Sequence, residues 1–342
     1  MLKMKDLASF SGNVGGNRTA PAGSGSPAQV RMVTISEEEA GQRIDNFLLR
    51  TFKGVPKSHV YRVLRSGEVR VNKGRISQTY RLERGDVVRL PPVRTEDRAS
   101  GVVVPGAEFR ILLEDSHVLA VDKPAGVAVH GGSGVSYGVI EQLRAARPQA
   151  PFLELVHRLD RDTSGILLLA KKRSALTHLH GQMRDGVVDK RYLALVQGDW
   201  RNPRQHIKLP LFKYNLPDGE RRVRVQADGM PSHTVFNLLR KAGGFALLEA
   251  ELKTGRTHQI RVHLASSGFP IVGDDKYGDY ALNRALQKPQ GGRAALKRMF
   301  LHAHRVTFIH PESGKPVTLA APLPPECAHF LASLEAAAET SV

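Results

Sequence analysis

The segment His157-Arg-Leu-Asp-Arg-Asp-Thr-Ser-Gly165 places two carboxylates, Asp160 and Asp162, beside Arg158 and Arg161, directly before the apolar run Ile166–Ala170. A polar loop joined to a buried strand can hold a reactive side chain on a rigid support. A guanidinium close to a carboxyl favours its ionised form. An Asp kept charged at neutral pH can act as a nucleophile or as a general base. The same residues would also suit a plain turn held by Asp–Arg pairs and a Thr-Ser cap. Composition alone leaves both readings open.

Three short motifs nearby carry less. Asp162-Thr-Ser-Gly165 spells an aspartic-protease signature, but that chemistry needs two carboxylates sharing a proton, and the chain holds no second copy. His157-Arg158-Leu-Asp160 differs from a kinase catalytic loop by a transposition and lacks the accompanying glycine-rich loop and Asp-Phe-Gly. Gly131-Gly-Ser-Gly134 lacks the Lys-Ser/Thr ending of a phosphate loop and reads as a flexible turn.

A second basic constellation is Thr254-Gly-Arg-Thr-His-Gln-Ile-Arg-Val-His263. Arg256 and Arg261 flank a turn-to-helix junction and could offer planar donors to a phosphate or to a buried carboxylate. Fourteen histidines, among them the pairs His178/His180, His302/His304 and His258/His263, raise a metal reading. Carboxylates are not arranged around them, and Cys327 is the single cysteine. Hydrogen bonding to RNA or burial in the core is the expectation for these histidines, and no metal is expected.

The chain has 342 residues, enough for two domains and a real core. Fifty Lys and Arg against 33 Asp and Glu leave a formal charge of +17, which attracts polyanions, nucleic acid first. A basic membrane-surface protein would need an amphipathic helix with bulky anchors or a lipidation signal, and neither is visible. No apolar run reaches the roughly 18 residues of a span, and the basic start is followed by no apolar signal region. A single cysteine excludes an intramolecular disulfide. The cytosol is the expected compartment.

Residues 1–33, rich in Gly, Ser, Asn, Ala and Pro, are expected to form a disordered, passive tail. A compact unit follows over 34–93. Val33-Thr-Ile35 reads as a strand, Ile44, Phe47 and Leu48 as one helix, and Val60, Val63 and Leu64 as a second helix, capped by Ser58 and ended by Gly67. Val69 and Val71 alternate like a strand, Asn72-Lys73-Gly74 supplies a turn, and Asp86-Val-Val88 enters a closing strand. Its polar face is basic: Arg43, Arg50, Lys53, Lys57, Arg62, Arg65, Arg70, Lys73 and Arg75 suit a phosphate-tracking patch. This stretch resembles the S4 RNA-binding domain. A linker is expected over 94–107, a catalytic domain over 108–335 and a C-terminal tail over 336–342. Strands are expected at Phe109–Leu113, Val118–Val121, Gly165–Ala170, Tyr192–Val196, Ala246–Leu252 and Ala303–Ile309, with helices at Ser174–Met183 and His258–Ser266. The fold class is α+β: a small α/β S4-like domain, then a domain on a mixed, largely antiparallel sheet.

Six segments occur in order: Asp122-Lys-Pro-Ala-Gly126, His157–Gly165, Lys190-Arg-Tyr192, Thr254–Arg261, Gly273-Asp-Asp-Lys-Tyr-Gly278 and Phe300-Leu-His-Ala303. With them, from about residue 30 to 335, the chain resembles the ribosomal large-subunit pseudouridine synthases with a fused S4 domain. That resemblance implies roles. Asp160 matches the Asp used for glycosidic cleavage and Tyr192 the Tyr that packs on the target base. Arg261 matches the Arg that pairs with the catalytic carboxylate, and Arg158 the Arg that helps displace the flipped nucleotide. Arg161, Arg256 and His258 join them as substrate-binding candidates. The implied substrate is 23S ribosomal RNA or a large-subunit assembly intermediate, at several uridines near the peptidyl-transferase region. No nucleotide cofactor is expected, and a monomer is. The competing functions are a non-catalytic S4-type ribosome-assembly factor and a hydrolase working through the two Asp groups.

Overall fold

The computed structural model describes residues 29–37, 39–52, 55–93, 104–132 and 135–339. Most of the expected tail, Lys53, residues 94–103 of the expected linker, and Ser133 and Gly134 of the glycine-rich turn lie outside the described residues. The chain divides into two compact units, a smaller one holding 43–81 and a larger one holding 98–342. No described helix is long and apolar enough to cross a membrane.

In the smaller unit the helices Ile44–Thr51 and Lys57–Arg65 bury the expected apolar stripes. The strands Arg31–Thr34, Val87–Leu90 and Arg70–Val71 form one antiparallel sheet in that order. The first strand therefore starts three residues inside the expected tail. Ser58 is not the cap of the second helix. Pro56 holds the N-cap position with φ −57°, and Ser58 lies inside the first turn, as a proline's fixed φ allows. Gly67, at φ +75°, ends that helix as expected. Asn72 and Lys73 adopt positive φ in the predicted turn, where the Asn72 amide donates to Asp86 and accepts from Val87 N. Lys57, Arg62, Arg65, Arg70, Lys73 and Arg75 are exposed. Arg43 is engaged instead, paired at 2.6 Å with the buried Asp45.

The larger unit is built on a ten-stranded sheet. Its path runs Arg110–Glu114, Val118–Lys123, Ser164–Ala170, Leu301–Ile309, Asp189–Gln197, Phe245–Leu252, Thr234–Ala242 and Arg204–Ile207. Pro316–Ala320 pairs with Leu301–Ile309, and Glu154–Leu155 with Ser164–Ala170. One contact is parallel, between Ser164–Ala170 and Leu301–Ile309; the other pairings are antiparallel. The period-two alternation of strands sorts the apolar side chains to two faces. Leu119, Val121, Leu167, Leu169, Tyr192, Ala194 and Leu248 share one face with the helices Val139–Ala146 and Gln259–Ser266. Val118, Ala120, Ile166 and Leu168 take the other, under the helix Arg173–Arg184. The helix Pro325–Glu339 covers Leu195, Phe245 and Leu247 and continues four residues past the expected domain end at 335.

The parallel contact is tight. Gly165 has φ +108°, and a Cβ there would lie 2.3 Å from the Ala303 carbonyl oxygen. Beside it a buried chain of donors runs Arg298 Nη2 to Ser164 Oγ (2.7 Å), Ser164 Oγ to His302 Nδ1 (2.9 Å), and His302 Nε2 to the Ala321 carbonyl (3.2 Å). This order leaves one proton on the imidazole, and burial pushes its pKa down to about 4.

Two outcomes are expected. Gly165→Ala combines backbone strain with overpacking and should cost roughly 2–5 kcal/mol in urea unfolding; an unchanged midpoint would mean that the strands part freely. Between pH 6.5 and 4 the unfolded His302 binds a proton that the folded one does not, so stability should fall as pH drops through that window, by up to about 3 kcal/mol. His302→Gln should flatten that slope, and a variant with the wild-type slope would refute the assignment.

Candidate active site

Asp160 sits in the loop between Glu154–Leu155 and Ser164–Ala170, on the sheet face that carries Tyr192. The loop is pinned from beneath. Lys123, fully buried at the end of its strand, donates from Nζ to the carbonyls of Pro124, Val127 and Arg161 at 2.8, 2.8 and 2.9 Å. Burial pulls this lysine down to about 7, yet three carbonyl acceptors are satisfied together only by the three donors of the ammonium. Gly126 N donates to the Arg161 carbonyl as well, at 2.9 Å. His157 turns back to the sheet, where its Nε2 accepts from Leu168 N at 3.1 Å.

The arginines adjacent to Asp160 in sequence are not its partners. Arg161 Nε lies 3.2 Å from Asp162, and Arg158 Nη1 lies 3.3 Å from His130 Nε2. The cation on Asp160 comes from 101 positions away: Arg261 Nη1 donates to Asp160 Oδ2 at 3.3 Å. Arg261 is 2 % exposed. It spends Nε and Nη2 on a bidentate pair with Asp274, at 2.7 and 2.6 Å, and Nη2 also reaches Asp275 at 3.2 Å. Asp274 is buried too and accepts from Lys276 N and Tyr277 N. These donors hold its carboxyl below the ordinary range against the opposing effect of burial. The core thus fixes two arms of the guanidinium and leaves the third for Asp160.

Tyr277 completes the surround. Its ring lies 5.2 Å from the Arg261 guanidinium. Its hydroxyl accepts from Val223 N at 2.9 Å and lies 2.8 Å from His258 Nδ1. Burial raises the phenol to about 12 and lowers His258. A protonated phenol can therefore donate to Nδ1 of a neutral imidazole, whose Nε2–H then faces Asp160 Oδ1 at 3.9 Å. His258 holds φ +53° just before the helix Gln259–Ser266, which turns the ring toward the loop. Burial and the negative field of Asp160 raise the Tyr192 phenol, which stays protonated.

Asp160 opens into a cleft of about 1080 Å³. Arg158, Arg161, Tyr192, Arg256, His258 and Arg261, the remaining candidates of the larger unit, all line it. Arg256 is exposed there, with Nε 3.2 Å from the Pro231 carbonyl. Nine Lys and Arg face four Asp and Glu in the lining, a balance suited to a polyanion with one reactive carboxylate at the base. Several of the histidines read as possible ligands have other partners: His180 the Val156 carbonyl, His263 Ser232 and Thr234, His304 Glu249. Lys123, Asp274 and Tyr277 were not singled out from sequence as site residues, although all three lie in the quoted motifs. The apolar strand end before Lys123 and the adjacent Asp274-Asp275 pair were the available signals.

Removing Asp274 strands a buried guanidinium. Asp274→Ala should destabilise the protein by roughly 3–5 kcal/mol, measured by urea unfolding, and Asp274→Asn, which keeps one acceptor oxygen, by less. Equal and small losses would mean that Arg261 finds water or another partner.

Against this geometry the comparisons are specific. Residues 117–266 match the family model of RNA pseudouridylate synthase, and residues 42–88 that of the S4 domain. "Ribosomal large subunit pseudouridine synthase C" of Pasteurella multocida is 52% identical over 311 residues, covering 89% of this chain and 94% of that protein. The protein of the same name from Escherichia coli K12 is 52% identical over 300 residues, covering 86% and 93%. Among solved structures, "Human RNA Pseudouridylate Synthase Domain Containing 4" aligns with a TM-score of 0.54 at 26% identity, over 66% of this chain and 92% of that one. With the likeness extending across nearly the whole of its bacterial relatives, the chain belongs to the RNA pseudouridylate synthase family, in the group that carries an S4 domain.

Proposed function

We propose that this enzyme isomerises uridines of large-subunit ribosomal RNA to pseudouridine, with Asp160 as the reacting group. The observation that carries the reading is the Asp160 carboxylate, 27% exposed at the base of a basic cleft and held by a guanidinium that is itself buried. Isomerisation breaks N1–C1′, turns the uracil and forms C5–C1′; the C5 proton leaves and N1 gains one, so RNA mass is unchanged. Asp160 either attacks C1′ or removes the 2′ proton. A stacked uridine is out of reach, so it must be extruded, at a cost of a few kcal/mol. An aromatic face returns roughly 1–3 kcal/mol, the role of Tyr192. Arg261 orients Asp160 through the 3.3 Å contact, and Arg158, exposed at the cleft mouth, fills the space that the extruded nucleotide leaves. Arg161, Arg256 and His258 contact the substrate from the cleft walls.

The name carried by the bacterial relatives supports the large ribosomal subunit as the target. The Glu154-Leu-Val-His157 approach resembles the C type, consistent with that name. Lys57, Arg62, Arg65, Arg70, Lys73 and Arg75 of the S4 unit, with Arg43 at their edge, would track phosphates of the same RNA. The cytoplasm and a monomeric state fit this reading.

Asp160→Asn is nearly isosteric and should leave RNA affinity within about threefold while slowing pseudouridine formation by at least about 10³-fold. Carbodiimide mapping of a 23S transcript reads the chemistry, and filter binding reads the affinity. Pseudouridine formed by the variant at near wild-type rate would overturn the assignment.

A further inference from the structure

His258 stands beside the reacting carboxylate without bonding it. Its Nε2 lies 3.9 Å from Asp160 Oδ1, beyond hydrogen-bond reach, and the residue lines the cleft. The other edge of the ring is fixed. Nδ1 lies 2.8 Å from the Tyr277 hydroxyl, which already accepts from Val223 N of the strand Arg221–Val225. Among the described residues the phenol proton has no other acceptor, so it goes to Nδ1, and the imidazole carries its own proton on Nε2. Tyr277 is held in turn. Its ring meets His258 edge-on at 5.5 Å, and the guanidinium groups of Arg222 and Arg261 lie 5.8 and 5.2 Å from its centroid.

The charged groups that face His258 come from three segments: Asp160 from its loop, Arg261 from the helix Gln259–Ser266, and Asp274 and Lys276 from the loop 273–278. Two anions oppose two cations, so burial decides, and it lowers the imidazole from its ordinary value. At neutral pH Nε2–H is a donor that does not give up its proton. The reaction needs such a group. Whichever step Asp160 performs, the uracil leaves with the electron pair of the N1–C1′ bond, and its negative charge spreads onto O2 and O4. A cationic acid there would protonate the base and remove the carbon nucleophile. A neutral imidazole stabilises the charge and leaves it in place. Geometry adds a second requirement. O2 is the carbonyl oxygen beside N1, and O4 is the one beside C5. The half-turn that exchanges N1 for C5 also exchanges O2 for O4. One fixed donor near C1′ therefore meets a carbonyl oxygen before and after the turn.

We propose that His258, held in one tautomer by Tyr277, donates from Nε2 to the uracil carbonyl beside C1′, O2 before the base turns and O4 after it. Tyr277 is a positioning residue and acts only through His258. The gap between Nε2 and Asp160 Oδ1 leaves the N–H free for this carbonyl, while Arg261 holds Oδ2. His258 keeps its proton through the cycle, so the exchange of the C5 proton for the N1 proton does not pass through it. This role presupposes Asp160 as the reacting group.

Single-turnover rates of the full-length enzyme on a 23S rRNA transcript test the role. His258→Leu should slow isomerisation by about 10²–10³-fold and leave RNA affinity within about threefold, because the bond matters where charge develops. His258→Gln, which places an amide N–H near Nε2, should return to within about tenfold of the wild type. Tyr277→Phe takes the donor from Nδ1, and that bond favours the neutral ring, so the imidazole gains a proton more readily. The acid limb of its pH–rate profile should move upward, and in Tyr277→Phe/His258→Gln the displacement should vanish. His258→Leu as fast as the wild type, or His258→Gln as slow as His258→Leu, would overturn the proposal. So would a Tyr277→Phe profile that coincides with the wild-type one, or a displacement that persists without His258. If His258→Leu does not fold, the Tyr277→Phe pair decides alone. Failure of the Asp160 reading shows separately, as an Asp160→Asn enzyme that still forms pseudouridine.

Discussion

The larger unit depends on one buried guanidinium. Arg261 lies in the core, where an unpaired charge would be prohibitive. Asp274 pays that desolvation cost through a bidentate pair. Asp160 is a secondary partner, at 3.3 Å and through the remaining nitrogen. This asymmetry has a chemical use. A carboxylate that neutralised Arg261 alone could not turn toward a substrate without stranding the cation behind it. Here Asp160 can engage a sugar carbon or proton while Arg261 stays compensated.

The supports of that pair come from distant stretches of chain. The helix Gln259–Ser266 carries Arg261, the loop 273–278 carries Asp274 and Tyr277, and the sheet carries Tyr192 and Lys123. Lys123 ties three carbonyls together beneath the catalytic loop, one of them that of Arg161, next to Asp160. A displacement of about 1 Å at a reacting centre can cost about 10²-fold in rate, so such pinning is as much a part of the chemistry as the acid itself. The parallel contact at Gly165 and the Ser164–His302 bond fix the strand on which the loop ends.

Much of this was legible in the sequence. Apolar runs located the central strands, because both faces of the sheet are covered and the strands read as near-continuous hydrophobic segments, as at Ile166–Ala170. The S4 stripes at Ile44, Phe47, Leu48, Val60, Val63 and Leu64 were equally plain. Pairing was harder to read. Arg158 and Arg161 stand beside Asp160 in sequence, but they turn to His130 and Asp162, and the true partner lies 101 positions on. Nothing in Asp274-Asp275 tells which carboxylate is buried; that depends on the neighbouring loop. Ser58 has the chemistry of a cap, but Pro56 with its fixed φ takes the N-cap position two residues earlier. The strands Leu211–Asn215 and Arg221–Val225, paired as a small sheet of their own, are not legible as strands because both of their faces mix apolar or aromatic with polar side chains.

The central claim is that Asp274 acts on the reaction through Arg261, and Arg261 through Asp160. Single-turnover isomerisation rates for Asp274→Asn, Arg261→Lys and the double variant measure that dependence directly. If the chain of contacts holds, the double variant loses little more than the worse single one, with a coupling free energy above about 1 kcal/mol. Losses that simply add would mean that the two residues act independently, and the account of how Asp160 is aimed would be wrong.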